Sequence, residues 1–111
     1  MKVITSKALP SLCPIQGRAS RHARVGLVQT RWYESPEVHR QQLHDGVSRC
    51  AEAGAEIVFL PELTLSRYPA DTQPQSEADA TAEDLVEGPS VTFAKTLARE
   101  CDVHVQISLF E

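Results

Sequence analysis

A run of apolar residues, Ile57-Val58-Phe59-Leu60, is stopped by Pro61 and followed at once by the acid Glu62 and by Leu63. Proline has no backbone N–H, so a hydrogen-bonded strand through this run has to end there. The run predicts a buried strand over about 56–60, with one carboxylate at its tip among apolar neighbours. An acid in such a place is expected to be poorly hydrated, and burial disfavours the charged form of a carboxyl group. That expense suits a general base better than a surface acid. The plain structural alternative is that Glu62 caps the next turn or pairs with a nearby Arg.

The segments around this run predict alternating strands and helices. Arg24-Val25-Gly26-Leu27-Val28-Gln29 is short and almost continuously apolar, which fits a strand covered on both faces. Ser35 and Pro36 have the signature of a helix start, an N-cap residue followed by proline at the first helical position. The helix expected over about 36–53 places Leu43, Val47, Cys50 and Ala51 on one face, and Gly54 stands where a left-handed residue ends a helix. Residues 69–86, rich in polar residues and holding Pro69 and Pro74, read as a polar loop with a short helical turn near its end. Gly88 and Pro89 open a second helix, on which Ala94, Leu97, Ala98 and Cys101 share a face. A last strand over about 103–109 alternates Val103, Val105, Ile107 and Leu109 with more polar residues. This β-α-β-loop-α-β order predicts an α/β fold with parallel strands, because each helix returns the chain in the same direction. Glu62 then lies just past the carboxyl end of a strand, the edge where open parallel sheets bind and react.

Composition narrows the function. The 111 residues suffice for one small domain, and a formal charge of −4 offers no basic field for nucleic acid. No apolar stretch approaches the roughly 20 residues needed to cross a bilayer, so no membrane partner is expected. No acid precedes Glu34, whereas Lys2, Lys7, Arg18, Arg21 and Arg24 all do. Such a start can target an organelle; the preferred reading of residues 1–22 is a disordered extension or a start codon assigned too early, with the domain occupying 23–111. Cys13, Cys50 and Cys101 contain no C-x-x-C pair, and reduced thiols in a cytoplasmic protein are the simplest account. His39 and His44, five apart, do not share a zinc-binding helix face and are expected to face solvent, as is His104 on the last strand. Neither the glycine-rich phosphate-binding patterns nor the G-x-S-x-G elbow occurs.

The strand Val25-Gly26-Leu27-Val28-Gln29, the helix after it, and Gly54-Ala55-Glu56-Ile57-Val58-Phe59-Leu60-Pro61-Glu62-Leu63 together resemble the start of the carbon-nitrogen hydrolase (nitrilase) superfamily. Glu87-Gly88-Pro89 and the strand ending Ser108-Leu109 are similar to its next landmarks, so the resemblance runs from about residue 24 to Glu111. It implies part of an αββα sandwich, incomplete here, of β-α-β-α-β form. It also implies hydrolysis of non-peptide C–N bonds by a Glu, a Lys and a Cys, on a small amide, an N-carbamoyl compound or a nitrile. Glu62 takes the general-base position, and Tyr68 is a candidate for the substrate pocket. No metal or organic cofactor is implied, and homo-oligomers are common in the family.

The family's Lys and Cys fall beyond Glu111, so this chain is expected to contribute only the Glu and to be inactive alone. Cys50 and Cys101 sit on inward helix faces unsuited to a nucleophile, and Lys95 on a helix is better explained as a solvated charge. Where the family has Gly before its Tyr, this chain has Arg67, in place of a residue free to adopt positive φ. Two other readings stay open: a non-catalytic remnant, and an unrelated α/β binding module whose Pro-Glu-Leu turn is coincidence. Lacking a layer over one sheet face, the isolated chain is expected to aggregate or bind a partner.

Overall fold

The computed structural model describes residues 1–7, 22–68 and 82–111. Five elements follow one another: β1 (Val25–Leu27), α1 (Pro36–Glu52), β2 (Ile57–Phe59), α2 (Pro89–Cys101) and β3 (His104–Gln106). The strands form a parallel sheet in the order β1-β2-β3, with Gly26, Val58 and Val105 in one row. This is the α/β architecture expected from the order of elements. Most of the loop expected over 69–86 lies outside the described residues.

Local chemistry sets the helix ends. The Ser35 hydroxyl accepts the Val38 N–H at 3.3 Å, and Pro36 occupies the first turn, where a missing N–H costs nothing. At the other end Ala55 N–H donates to Cys50 O and Gly54 N–H to Ala51 O, with Gly54 at φ 84. That is the paired closure of a Schellman motif, and its left-handed position is held by the glycine. Helix α2 starts at Gly88, which has no side chain to cap it, and Glu83 takes over. One Glu83 oxygen accepts the Ser90 N–H at 2.7 Å and the other the Ser90 hydroxyl at 2.8 Å. Just ahead, the Asp84 carboxylate accepts the N–H groups of Val86 and Glu87. Those bonds hold its carboxyl below the usual range.

Both helices cover the same face of the sheet and touch each other. Val28, Leu43, Val47, Ala55, Val58, Leu60, Leu97 and Val103 form the core between them. Helix α1 approaches β1 closely at Gly26, where a Cβ would stand 2.7 Å from that of Cys50. The opposite face is bare among the described residues: Val25, Leu27 and Phe59 are exposed, as are His104 and Gln106. The expectation that β1 is covered on both faces is therefore corrected. Its alternate residues are buried on one side only.

The strands are also shorter than the apolar runs that predicted them. Val28 N–H still donates to Phe59 O and Leu60 N–H to Gln106 O, each at 3.0 Å. The next residue of the middle strand is Pro61, which has no N–H to offer toward β1, the side on which Phe59 pairs with Val28, so the β1–β2 ladder stops there. Met1 lies against α1, its carbonyl accepting from Arg49 at 2.6 Å and its ammonium 3.9 Å from Asp45. No helix among the described residues is long and apolar enough to cross a membrane.

Candidate functional site

The end of the β2 ladder at Pro61 creates a tight turn. Leu63 adopts φ 50, a left-handed conformation that costs a non-glycine residue roughly 1–2 kcal/mol. Strain of this kind persists only where the surroundings over-determine it, and Thr64 supplies the restraint. Its side-chain hydroxyl donates to the Pro61 carbonyl at 3.0 Å and accepts the Ser108 N–H at 3.2 Å. Its own N–H donates to the Ser108 carbonyl at 2.9 Å. The 61–64 turn is thus tied to the chain just after β3. Thr64 is 1 % exposed.

Glu62 stands on this turn at the carboxyl edge of the sheet, where the order of elements predicts it. Its hydration differs from expectation: the residue is exposed. The apolar run ahead of Pro61 packs only its inward residues, Val58 and Leu60, against the helices. Glu62 itself projects beyond that core.

A second anchor comes from α1. The Nε2 atom of His39 lies 2.9 Å from the Thr64 carbonyl in a buried contact, and the residue is only 4 % exposed. The expectation that His39 faces solvent is overturned. Four and eight residues before Leu43 and Val47, it belongs to their stripe, a signal available from spacing alone. The Trp32 ring packs against it with centroids 4.3 Å apart, and Tyr33 follows at 6.3 Å. His44 is the solvent-side histidine of the pair, 3.0 Å from Glu100. Nothing near residue 64 in the sequence singles out Thr64, because apart from Pro61 its partners lie on α1 and past β3.

The other candidates separate cleanly from this edge. A helix between parallel strands ends where the next strand begins, so Cys50 and Cys101 lie toward the amino edge of the sheet, away from Glu62. Burial pushes the Cys50 thiol up from its ordinary range, which suppresses the nucleophilic thiolate. Cys101 stands 3.6 Å from the Ser48 hydroxyl between the helices. Lys95 is exposed and donates to the Val86 carbonyl at 2.8 Å. Tyr68 is 51 % exposed at the end of the described stretch after the turn. Arg67 has no positive φ; the left-handed position falls on Leu63 instead, so no strain follows from the missing glycine. Cys13 lies outside the described residues. Among those described, no three His, Cys, Asp or Glu side chains gather to hold a metal ion.

What the arrangement can do is limited and specific: a hydrated carboxylate on a restrained turn can accept a proton from a group brought to the carboxyl edge. A family model described as carbon-nitrogen hydrolase matches residues 24–111, from just before β1 to the last residue. No curated protein matches the chain.

Proposed function

The chain belongs to the carbon-nitrogen hydrolase family, and from that premise we propose that Glu62 is the general base of a Glu–Lys–Cys site. The observation that carries this reading is the place of Glu62 directly after Pro61, on the turn at the carboxyl edge of β2. The Lys and the Cys come from outside residues 1–111, on structure that also covers Glu62 and strips its water. Glu62 takes the thiol proton as the sulfur attacks the substrate carbon. The lysine ammonium stabilises the oxyanion of the tetrahedral intermediate, and the amine departs with a proton. Glu62 supplies the proton that leaves with the amine and so becomes a base again. A water molecule then gives its proton to Glu62 as it attacks the thioester, and Glu62 passes that proton to the sulfur as the acid is released and the thiol restored.

Small amides and N-carbamoyl amines are the favoured substrates, with nitriles a less common alternative. Tyr68, on the chain leaving the turn, lines their pocket. The exposed sheet face agrees with further layers of the same fold or with association into homo-oligomers. Unpaired Cys50 and Cys101 fit the reducing cytoplasm. Residues 1–22 are an extension to the hydrolase domain.

In the active enzyme that contains this sequence, Glu62→Gln is expected to lower kcat for amide or N-carbamoyl hydrolysis by about 10²- to 10⁴-fold. Circular dichroism and melting temperature should be unchanged, because the side chain is outside the core. Retained turnover removes the base assignment. Should no turnover be found in any assembly containing the chain, the non-catalytic remnant is the better description.

A further inference from the structure

His39 is a costly residue where it sits. Its Nδ1 is buried and has no hydrogen-bond partner among the described residues. Native structures pair nearly all such atoms, and an apolar side chain of similar size would fill the slot without that penalty. The far side of the same ring explains the choice. A carbonyl oxygen only accepts, so the 2.9 Å contact with Thr64 requires the proton on Nε2. Nδ1 is then the bare nitrogen of that tautomer, facing a wall that offers no donor. The Trp32 ring against the imidazole limits its rotation.

The carbonyl that His39 engages is no ordinary one. Thr64 closes the turn whose Leu63 is held at φ 50, and its N–H and hydroxyl are already committed to Ser108 and Pro61. The remaining backbone group of Thr64 points away from those partners, into α1, and His39 alone meets it among the described contacts. We infer that His39 is a positioning residue for Glu62: it donates from Nε2 to the Thr64 carbonyl and so locks the strained 61–64 turn in the conformation that presents the carboxylate at the sheet edge. Its catalytic meaning rests on the general-base reading of Glu62; its geometric part does not.

The test uses the full chain, labelled for nuclear magnetic resonance. In the unsubstituted protein the His39 nitrogens should show the proton on Nε2 and none on Nδ1. His39→Leu, similar in bulk but without a donor, should speed amide hydrogen exchange at Thr64 and Ser66 about tenfold, the effect of losing one net hydrogen bond, and raise the mobility of the Glu62 and Leu63 amides. Exchange at Val58 should not follow. His39→Gln, whose carboxamide N–H reaches about as far as Nε2, should return Thr64 and Ser66 to within about threefold of the original. A filler of space alone would be replaced better by Leu than by Gln. A proton found on Nδ1 with Nε2 bare overturns the inference, as does a Leu variant whose turn exchanges unchanged. If both variants unfold, the tautomer in the unsubstituted chain decides. None of these readouts needs turnover, so an active Glu62→Gln enzyme would remove the base while leaving the positioning contact standing.

Discussion

The two faces of the three-stranded sheet are built from the same short strands, and they meet opposite fates. On the helix side Gly26, Val58 and Val105 share a row, with Val58 fully buried beneath α1 and α2. On the other side Val25, Leu27 and Phe59 are as apolar as their neighbours, yet Leu27 is 75 % exposed. Strand composition therefore does not decide which side is core. Strand order does. In the order β1-β2-β3 both crossovers step in the same direction, and the right-handed rule for such connections puts both helices on one face. A chain with β1 in the middle would have placed a helix on each.

The comparison can be broken by substitutions on either side. The largest effect is expected from Leu97→Ala, which empties a site with no exposure at the centre of the helix layer. It should cost about 2–5 kcal/mol in denaturant unfolding. A loss below 1 kcal/mol would mean that the helices do not pack as tightly as their burial indicates.

Gly26→Ala probes how closely α1 lies on β1. Its new Cβ would meet Cys50 Cβ at 2.7 Å and Sγ at 2.9 Å. Forcing them apart should cost about 1–3 kcal/mol. Labelling of the Cys50 thiol should also become faster as α1 lifts. Unchanged stability together with unchanged labelling would show that the helix stands further off the sheet than described.

The smallest effect belongs to the bare face. Leu27→Ser should move stability by no more than about 0.5 kcal/mol, because that residue is 75 % exposed, whereas Phe59→Ser, at a residue 37 % exposed, should cost more. Self-association, followed by light scattering, should fall in both. Association that persists undiminished would locate the adhesive surface elsewhere.

Legibility from sequence followed the range of the interactions involved. The N-cap at Ser35, the left-handed Gly54 and the stop at Pro61 are each decided within a few residues, and each appears where the sequence predicts it. Glu62 could be placed at the carboxyl edge because a helix between two strands makes them parallel. His39 lay within reach of the same reasoning, since its spacing to Leu43 and Val47 marks the buried stripe; its identity as a histidine argued against burial, and the stripe won. Thr64 was not legible at all. Its hydrogen-bond partners include His39, 25 residues before it, and Ser108, 44 residues after it.

By itself, then, the order of residues determined the alternation of strands and helices, where the helices start and stop, and which acid stands at a strand's end. These follow from backbone geometry and side-chain periodicity, which act over one or two turns of chain. Only the tertiary structure decided which sheet face is covered, that Glu62 is hydrated, and that Leu63 rather than Arg67 bears the left-handed conformation. Burial and strain depend on what distant segments bring alongside a residue, and at the 61–64 turn those segments are α1 and the chain leaving β3.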